Sequence, residues 1–443
     1  MQSGFETTGV LMSYRRLGLS LFALAALVAS LGTTTVSAKT IPVISDSQLQ
    51  ALTTSMGGAR VLPTADTIPH FFGTSLNPNN GVTYGWNMAG VDPSSNSSST
   101  VQVDVYPVIV NIDGLTFNGN NILAGTLASP QFATNDYGST PAATAAGNFP
   151  NPPAFVRGPG GLLSQNDAGN QLQVEDATMR AQFNKTGTSG YHLLLHPTVM
   201  PTITINVPNG AGVLLQSGRG VVFADINITW WGGQIQNLDQ SADPHHLPLY
   251  LTDNVLLHIG SNVFNCCVIG FHGAGEAVGH GTGSVNGNGN QHVQTFAWAS
   301  WVQPGIYARP NGGTDWALQD IHALSHEIAE WADDPFVNNT VQPWLTPTAP
   351  QYGCTKVMET GDPVVGIGFA IGHNTTDQTV NPNGTTSFDG YYHPEDEVFL
   401  PWFMRFPSNA TGSEPNQTSP GGRYTLMGDL NPFAGFRQAA TGC

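Results

Sequence analysis

Charge is what this sequence has least of. Asp, Glu, Lys and Arg make up 10 % of its 443 residues, against roughly 25 % in an average soluble protein. Cations are the scarcer sign: 13 Lys plus Arg face 30 Asp plus Glu, for a formal net charge of −17 and a pI near 4.9. Such a surface repels phosphate backbones and anionic lipid, which excludes a nucleic-acid partner and polybasic attachment to a membrane. Cysteine is sparse at four residues, and a chain of this length buries enough core to fold without a staple. Beyond residue 31 no stretch is apolar enough to span a bilayer. Disorder is excluded as well, because hydrophobic residues reach 40 %. What remains is an acidic, folded chain rich in turns, with 52 Gly and 31 Pro.

The single long apolar run lies near the N-terminus. Arg15 and Arg16 precede Leu17 to Leu31, and Val36-Ser37-Ala38 comes after it. A basic flank, a short apolar core and small residues at a cleavage position predict a signal peptide over residues 1–38. The expected mature protein starts near Lys39 and is secreted (extracellular, periplasmic or attached to a cell wall), with no stable membrane anchor after cleavage. In that oxidising setting Cys266, Cys267, Cys354 and Cys443 imply two disulfides. Adjacent cysteines rarely pair, so Cys266 and Cys267 are each expected to reach a distant partner, Cys354 among them.

Composition divides the rest of the chain into three parts. Residues 39–98 are rich in Pro, Gly, Asn and Ser and read as a loosely structured segment. Residues 99–260 form a β-rich half, and 261–443 a half that carries the chemistry. Val101, Val103 and Val105 alternate with polar neighbours, as do Ile203, Ile205 and Val207, then Ile226, Ile228 and Trp230. Such period-two patterns predict strands. Leu247 to Ile259, Cys266 to Phe271 and Thr295 to Trp301 are further strand candidates, Gln173 to Phe183 suits a short helix, and about Gly138 to Asn170 reads as a surface insertion. His272, Glu276 and His280 have a spacing that would bring one of them to a metal or cleft, but Gly273, Gly275 and Gly279 among them favour a polar loop.

One segment predicts an amphipathic helix, Asp315 to Trp331, with Thr314 or Asp315 as its N-cap and Pro335 beyond its end. Ala317, Ile321, Leu324, Ile328 and Trp331 form its apolar stripe. Roughly opposite lie His322, His326 and Glu330 at helical spacing. His326-Glu327-x-x-Glu330 has the form of the H-E-x-x-H metallopeptidase pattern with Glu as second ligand. His326 and Glu330, one turn apart, are candidate ligands of Zn2+, which accepts both nitrogen and carboxylate oxygen. Glu327 is the candidate general base. Glu359 and Asp362 are candidates for the third ligand, with His393 after them. Three ligands on consecutive turns of one straight helix span about 12 Å, so His322 is assigned a supporting place. Ca2+ is the alternative cation, His393 to Glu397 being acidic enough for it but lacking the alternation of a calcium loop.

The competing reading is a solvated helix face. Against it, Asp315, Asp320, Glu327, Glu330, Asp333 and Asp334 occur between Arg309 and Lys356 with no Lys or Arg among them, whereas solvated faces interleave both signs. Two of these acids also stand at the helix C-terminus, where the macrodipole disfavours anions. The expected fold class is α+β: a β-rich body with a zincin-like strand-loop-helix region around the metal site.

His326-Glu327-Ile328-Ala329-Glu330, then Asp334-Pro335, then Glu359-x-Gly361-Asp362, resembles the secreted EXORDIUM-like (phosphate-induced) family and its bacterial relatives. Cys267-x3-Phe271-His272-Gly273 and the aromatic strand at Phe296 to Trp301 are similar too. The resemblance runs from about Val101 to the C-terminus, omits 39–98 and the insertion, and implies an extracellular protein without implying an activity. Trp331-Ala332-Asp333 departs from the small or hydroxylated residues more usual there. Two functions are expected on these grounds. One is a metal-dependent hydrolase, zincin-like, acting on a peptide or another extracellular polymer. The other is a non-catalytic extracellular protein with a structural metal or none.

Overall fold

The computed structural model describes residues 52–53, 66–136, 171–183, 185, 189–276, 292–307, 319–345 and 354–365. Further on it describes 368, 371–372, 374, 379–380, 386–387, 391–406, 424–426 and 443. The signal peptide, the expected start near Lys39 and the 138–170 insertion lie outside these residues.

The elements begin with β1 (Leu52–Thr53), β2 (His70–Leu76), β3 (Thr83–Ala89), β4 (Ser98–Ile112), β5 (Leu115–Asn118), α1 (Asn120–Ala128), β6 (Asn135–Asp136) and β7 (Gln171–Leu172). Next come α2 (Val174–Gln182), β8 (His192–Val199), β9 (Ile203–Asn206), β10 (Gly212–Gln216), β11 (Val222–Asn227) and α3 (Ile228–Asp239). After them are β12 (His246–Asp253), β13 (Val255–His258), β14 (Cys266–Glu276), β15 (Val293–Trp301), α4 (His322–Asp333), β16 (Thr340–Leu345) and β17 (Cys354–Val357). The chain is α+β with a β-rich body.

Eleven strands make one mixed sheet in the order β10-β11-β13-β14-β15-β12-β4-β5, with β8 and β9 also on β4 and β1 on β14. It draws strands from both sides of residue 260. Its longest member, β4, serves two cores. Val101, Val103 and Val105 point to one face, while Val108, Val110 and Ile112 point to the other, since side chains alternate and the apolar pattern changes phase between them. On the first face lie α2, α4 and the β2–β3 hairpin. On the second lies α3, whose Trp231 packs edge-on against Trp298 with ring centroids 5.7 Å apart.

Two strands prepare the seat of α4. Along β14 and β15, Phe271, Phe296 and Trp298 fill the second face, and the first face is left to small residues such as Ala274, Ala297 and Ala299. Gly270 takes this furthest: a Cβ there would stand 2.6 Å from Cγ and Oε1 of Glu327. The helix therefore approaches the sheet closely, and every residue from His322 to Asp333 is buried.

Several expectations need correction. The helix starts at His322; 315–318 lie outside the described residues, and 319–321 are not helical. Asp320 has φ +45° and bridges to Val302, and its carboxylate accepts from the Ile321 backbone N–H and from both the backbone and ring of His393. The predicted cap residues, Thr314 and Asp315, lie outside the described residues. Nor does α4 have a solvated face, because the hairpin, α2 and the 392–404 segment cover what the sheet does not. The strand expected through Trp230 ends at Asn227, whose side chain accepts from the backbone N–H groups of Thr229 and Trp230 and opens α3. The run from Leu247 to Ile259 breaks at Asn254, φ +54°, into β12 and β13. His272 to Glu276 is not a loop but part of β14, its glycines facing β15 in register. Residues 66–98, expected to be loose, include the hairpin and a 3-10 turn at Pro93–Ser95. Cys266 and Cys267 pair with each other across a cis peptide bond, and Cys354 pairs with Cys443.

Asp253, buried at the end of β12 with Gln303 Nε2 3.5 Å away, has its carboxyl pushed up from 3.8 to about 7 by desolvation. An acid that holds its proton more tightly when folded stabilises the fold fully below the unfolded pKa, and that advantage is lost as pH rises through the folded one. Asp253→Asn should thus raise the unfolding temperature at pH 8 and leave it nearly unchanged at pH 4. At about 1.4 kcal/mol per unit the gain is at most about 4 kcal/mol. Thermal denaturation across that range checks it; equal shifts at both pH values would contradict it.

Candidate metal centre

At i and i+4 on α4, His326 and Glu330 stand one turn apart, and Nε2 of His326 lies 3.0 Å from Oε1 of Glu330. The other ring nitrogen, Nδ1, lies 2.6 Å from Oε2 of Glu395. That same oxygen is 3.0 Å from Nε2 of His322, one turn earlier on the helix. Glu395 is fixed in turn by its backbone N–H, which donates to Ser325 Oγ at 2.8 Å. A carboxylate holding Nδ1–H of a histidine sets its tautomer and aims Nε2, an arrangement common behind metal-ligating histidines.

The segment after β17 closes the other side. Backbone N–H groups of Gly361 and Asp362 donate to Oε1 of Glu330 at 3.2 and 3.3 Å. Gly361 must be glycine, because a Cβ would fall 2.3 Å from Nδ1 of His326. This turn brings the half-buried Asp362 to His326 and Glu330, where one donor atom from each lies within 4.8 Å of the others. Two further triplets meet the same limit: His272 with Glu327 and Glu330, and His326 with Glu395 and Glu397. The last would use the Nδ1 side of His326, which Glu395 already occupies.

His272 enters from β14. Its Nδ1 is 3.4 Å from Oε2 of Glu327 and 3.6 Å from Oε2 of Glu330, too long for good hydrogen bonds. Among the described residues neither ring nitrogen of His272 and neither oxygen of Glu327 has a hydrogen-bond partner, although both side chains are fully buried. Leaving such atoms unpaired is costly, and a cation would satisfy them.

The electrostatics fit the same picture. Burial opposes the charge on His326, but Glu330 and Glu395 outweigh it and hold the ring protonated well above the ordinary histidine range. Burial likewise opposes ionisation of Glu330, yet His326 and His272 hold its carboxyl well below the usual range. Glu327 is pushed up to about 7, chiefly by desolvation, with His272 and His326 pulling the other way. Desolvation also raises Glu359, Asp362 and Glu397. A cation taken up at Nε2 of His326 must displace a proton, so binding weakens as pH falls.

Of the residues singled out in the sequence, the fold brings His326, Glu330 and Asp362 to one point and sets Glu327 beside them. Glu359 is buried near enough to feel Glu330, His272 and Asp362, but belongs to none of the three triplets. His393 belongs to Asp320, at 2.6 Å. His272, of the suggestively spaced His272, Glu276 and His280, joins the site, as do Glu395 and Glu397 from the acidic stretch His393 to Glu397. For the two glutamates a signal existed, the same excess of acids without Lys or Arg that marks α4. The donor set, imidazole nitrogen with carboxylate oxygens, suits zinc or a similar transition ion better than calcium, which takes oxygen alone.

Set against known proteins, the chain matches no family model, no curated protein and no solved structure.

Removing the carboxylate behind His326 tests this geometry. Glu395→Ala should weaken divalent-metal binding about 10- to 100-fold, read by competition with a chromophoric chelator while circular dichroism confirms folding. A folded variant with unchanged affinity would show that Glu395 does not orient His326.

Proposed function

We propose that this is a secreted metal-dependent hydrolase acting on a peptide or another extracellular polymer, with His326, Glu330 and Asp362 as ligands of a zinc ion. The observation that carries the reading is the aimed Nε2 of His326, held by Glu395 and converging with Glu330 and Asp362. A set of three protein ligands leaves a coordination position open, as catalytic zinc sites do. When bound, such an ion supplies Lewis-acid polarisation. The chain's own contribution is Glu327, adjacent to His326 and fully buried beside it, a carboxylate placed to take up and return a proton. Gly270 leaves the space in which the Glu327 carboxylate lies. The proposal includes kinship with the EXORDIUM-like proteins, supported by the convergence of two of the elements that carry the resemblance, His326 to Glu330 and Gly361-Asp362.

A second reading, a structural metal in a non-catalytic extracellular protein, is favoured by one observation. His326, Glu327 and Glu330 have no exposed surface, and Asp362 is the partly exposed member of the set. Such burial leaves a polymer substrate little access to these donors.

Elemental mass spectrometry of the purified protein should find zinc in stoichiometric amount, and a peptide-library screen should find turnover. Glu327→Gln should then lower turnover by about 10²- to 10⁴-fold and keep the ion at His326, whereas His326→Ala should lose both. Absence of metal would refute both readings. Metal whose removal lowers the melting temperature, with no turnover of any library member, would select the structural one.

A further inference from the structure

We infer that the centre holds two divalent cations bridged by the carboxylate of Glu330. This rests on the metal-binding part of the proposed function and extends it to a second site. The two oxygens of Glu330 face different imidazoles: Oε1 lies 3.0 Å from Nε2 of His326, and Oε2 lies 3.6 Å from Nδ1 of His272. Two of the donor triplets meet at this residue, His326–Glu330–Asp362 and His272–Glu327–Glu330. His326 cannot be the shared ligand, because Glu395 holds its Nδ1 at 2.6 Å. A carboxylate can serve two ions through its two oxygens, and Glu330 has one directed to each triplet.

The second triplet has its own evidence. His272 and Glu327 are fully buried, and both nitrogens of the one and both oxygens of the other lack hydrogen-bond partners among the described residues, as does Oε2 of Glu330. Nδ1 of His272 faces Oε2 of Glu327 and Oε2 of Glu330 at 3.4 and 3.6 Å without hydrogen-bonding, and a cation among them would give all three a common partner. Nothing on the first triplet supplies one, since Gly361 and Asp362 donate to the other oxygen of Glu330. Gly270 directs Glu327 to this side, because any Cβ there would strike its carboxylate. One imidazole and two carboxylates suit zinc, manganese or cobalt. Paired ions of this kind, held by these residues, would hold the attacking oxygen and polarise the carbonyl or phosphoryl oxygen of the group it attacks. With the second ion in place Glu327 is its ligand instead of a free base.

The test loads metal-free, full-length protein with Zn(II) and separately with Mn(II), counting ions by elemental mass spectrometry and recording Mn(II) electron paramagnetic resonance. Two ions per chain with an exchange-coupled spectrum are expected. His272→Ala should then bind one ion and give an uncoupled signal, and Glu330→Gln should bind neither ion tightly. The wild-type spectrum decides without relying on any variant to fold. One ion per chain, uncoupled, would overturn the bridged pair and leave the single-metal reading intact; none would overturn both. Two uncoupled ions, or a count of two that His272→Ala leaves unchanged, would place the second ion elsewhere and overturn the inference.

Discussion

A polar helix with no solvent on any side is the constraint around which this protein is organised. α4 carries His322, His326, Glu327, Glu330 and Asp333, and all are buried. Isolated ionised groups in such a place are very costly, so their surroundings must compensate. Part of that compensation is visible in the alternation of imidazoles and carboxylates from His322 through Glu395 to His326 and Glu330. Opposite charges in low dielectric attract strongly, but desolvation takes back much of the gain. The cluster is therefore a poor source of stability by itself and a good indication of a site.

The same cluster explains how an irregular C-terminal half is held in place. After β17 the described chain has little ladder structure, yet it returns repeatedly to α4 and to the residues just before it. Gly361 and Asp362 donate to Glu330, His393 pairs with Asp320, and the Glu395 backbone donates to Ser325. Beyond these the apolar side chains of Phe399, Leu400 and Trp402 join the core on the same face of the sheet. Polar contacts thus fix the register of the segment, and apolar burial supplies the driving force. Close approach makes the arrangement possible: Gly270 and Gly361 touch Glu327 and His326 so nearly that no side chain fits at either.

Much of the secondary structure was legible because its cause is local. Alternation at Ile203 to Val207 and at Thr295 to Trp301 corresponds to β9 and β15, and the short helix expected from Gln173 appears as α2. Where local pattern misleads, a longer-range contact has displaced the local preference. Glycines at 273 and 275 suggest a loop, but paired with β15 they become part of a central strand. Isoleucine and tryptophan after Asn227 continue a period-two pattern, yet the Asn227 side chain caps a helix there. The helix stripe at Ile321 to Trp331 identifies α4 correctly but cannot say that its polar side is also covered.

The sequence by itself determined the chemistry on offer: a histidine and a glutamate one turn apart, an adjacent glutamate, and acids without basic neighbours. These come from helical periodicity and from counting charge, which need no fold. Tertiary structure alone decided that His272 on a sheet strand and Glu395 far downstream join them. It also decided that Asp362, and not Glu359, joins His326 and Glu330 in a donor triplet, and that Glu330 turns an oxygen to each of two imidazoles. The physical reason is that coordination geometry depends on distances of a few ångströms between segments 31 to 69 residues apart, and only the packing of helix on sheet sets those distances.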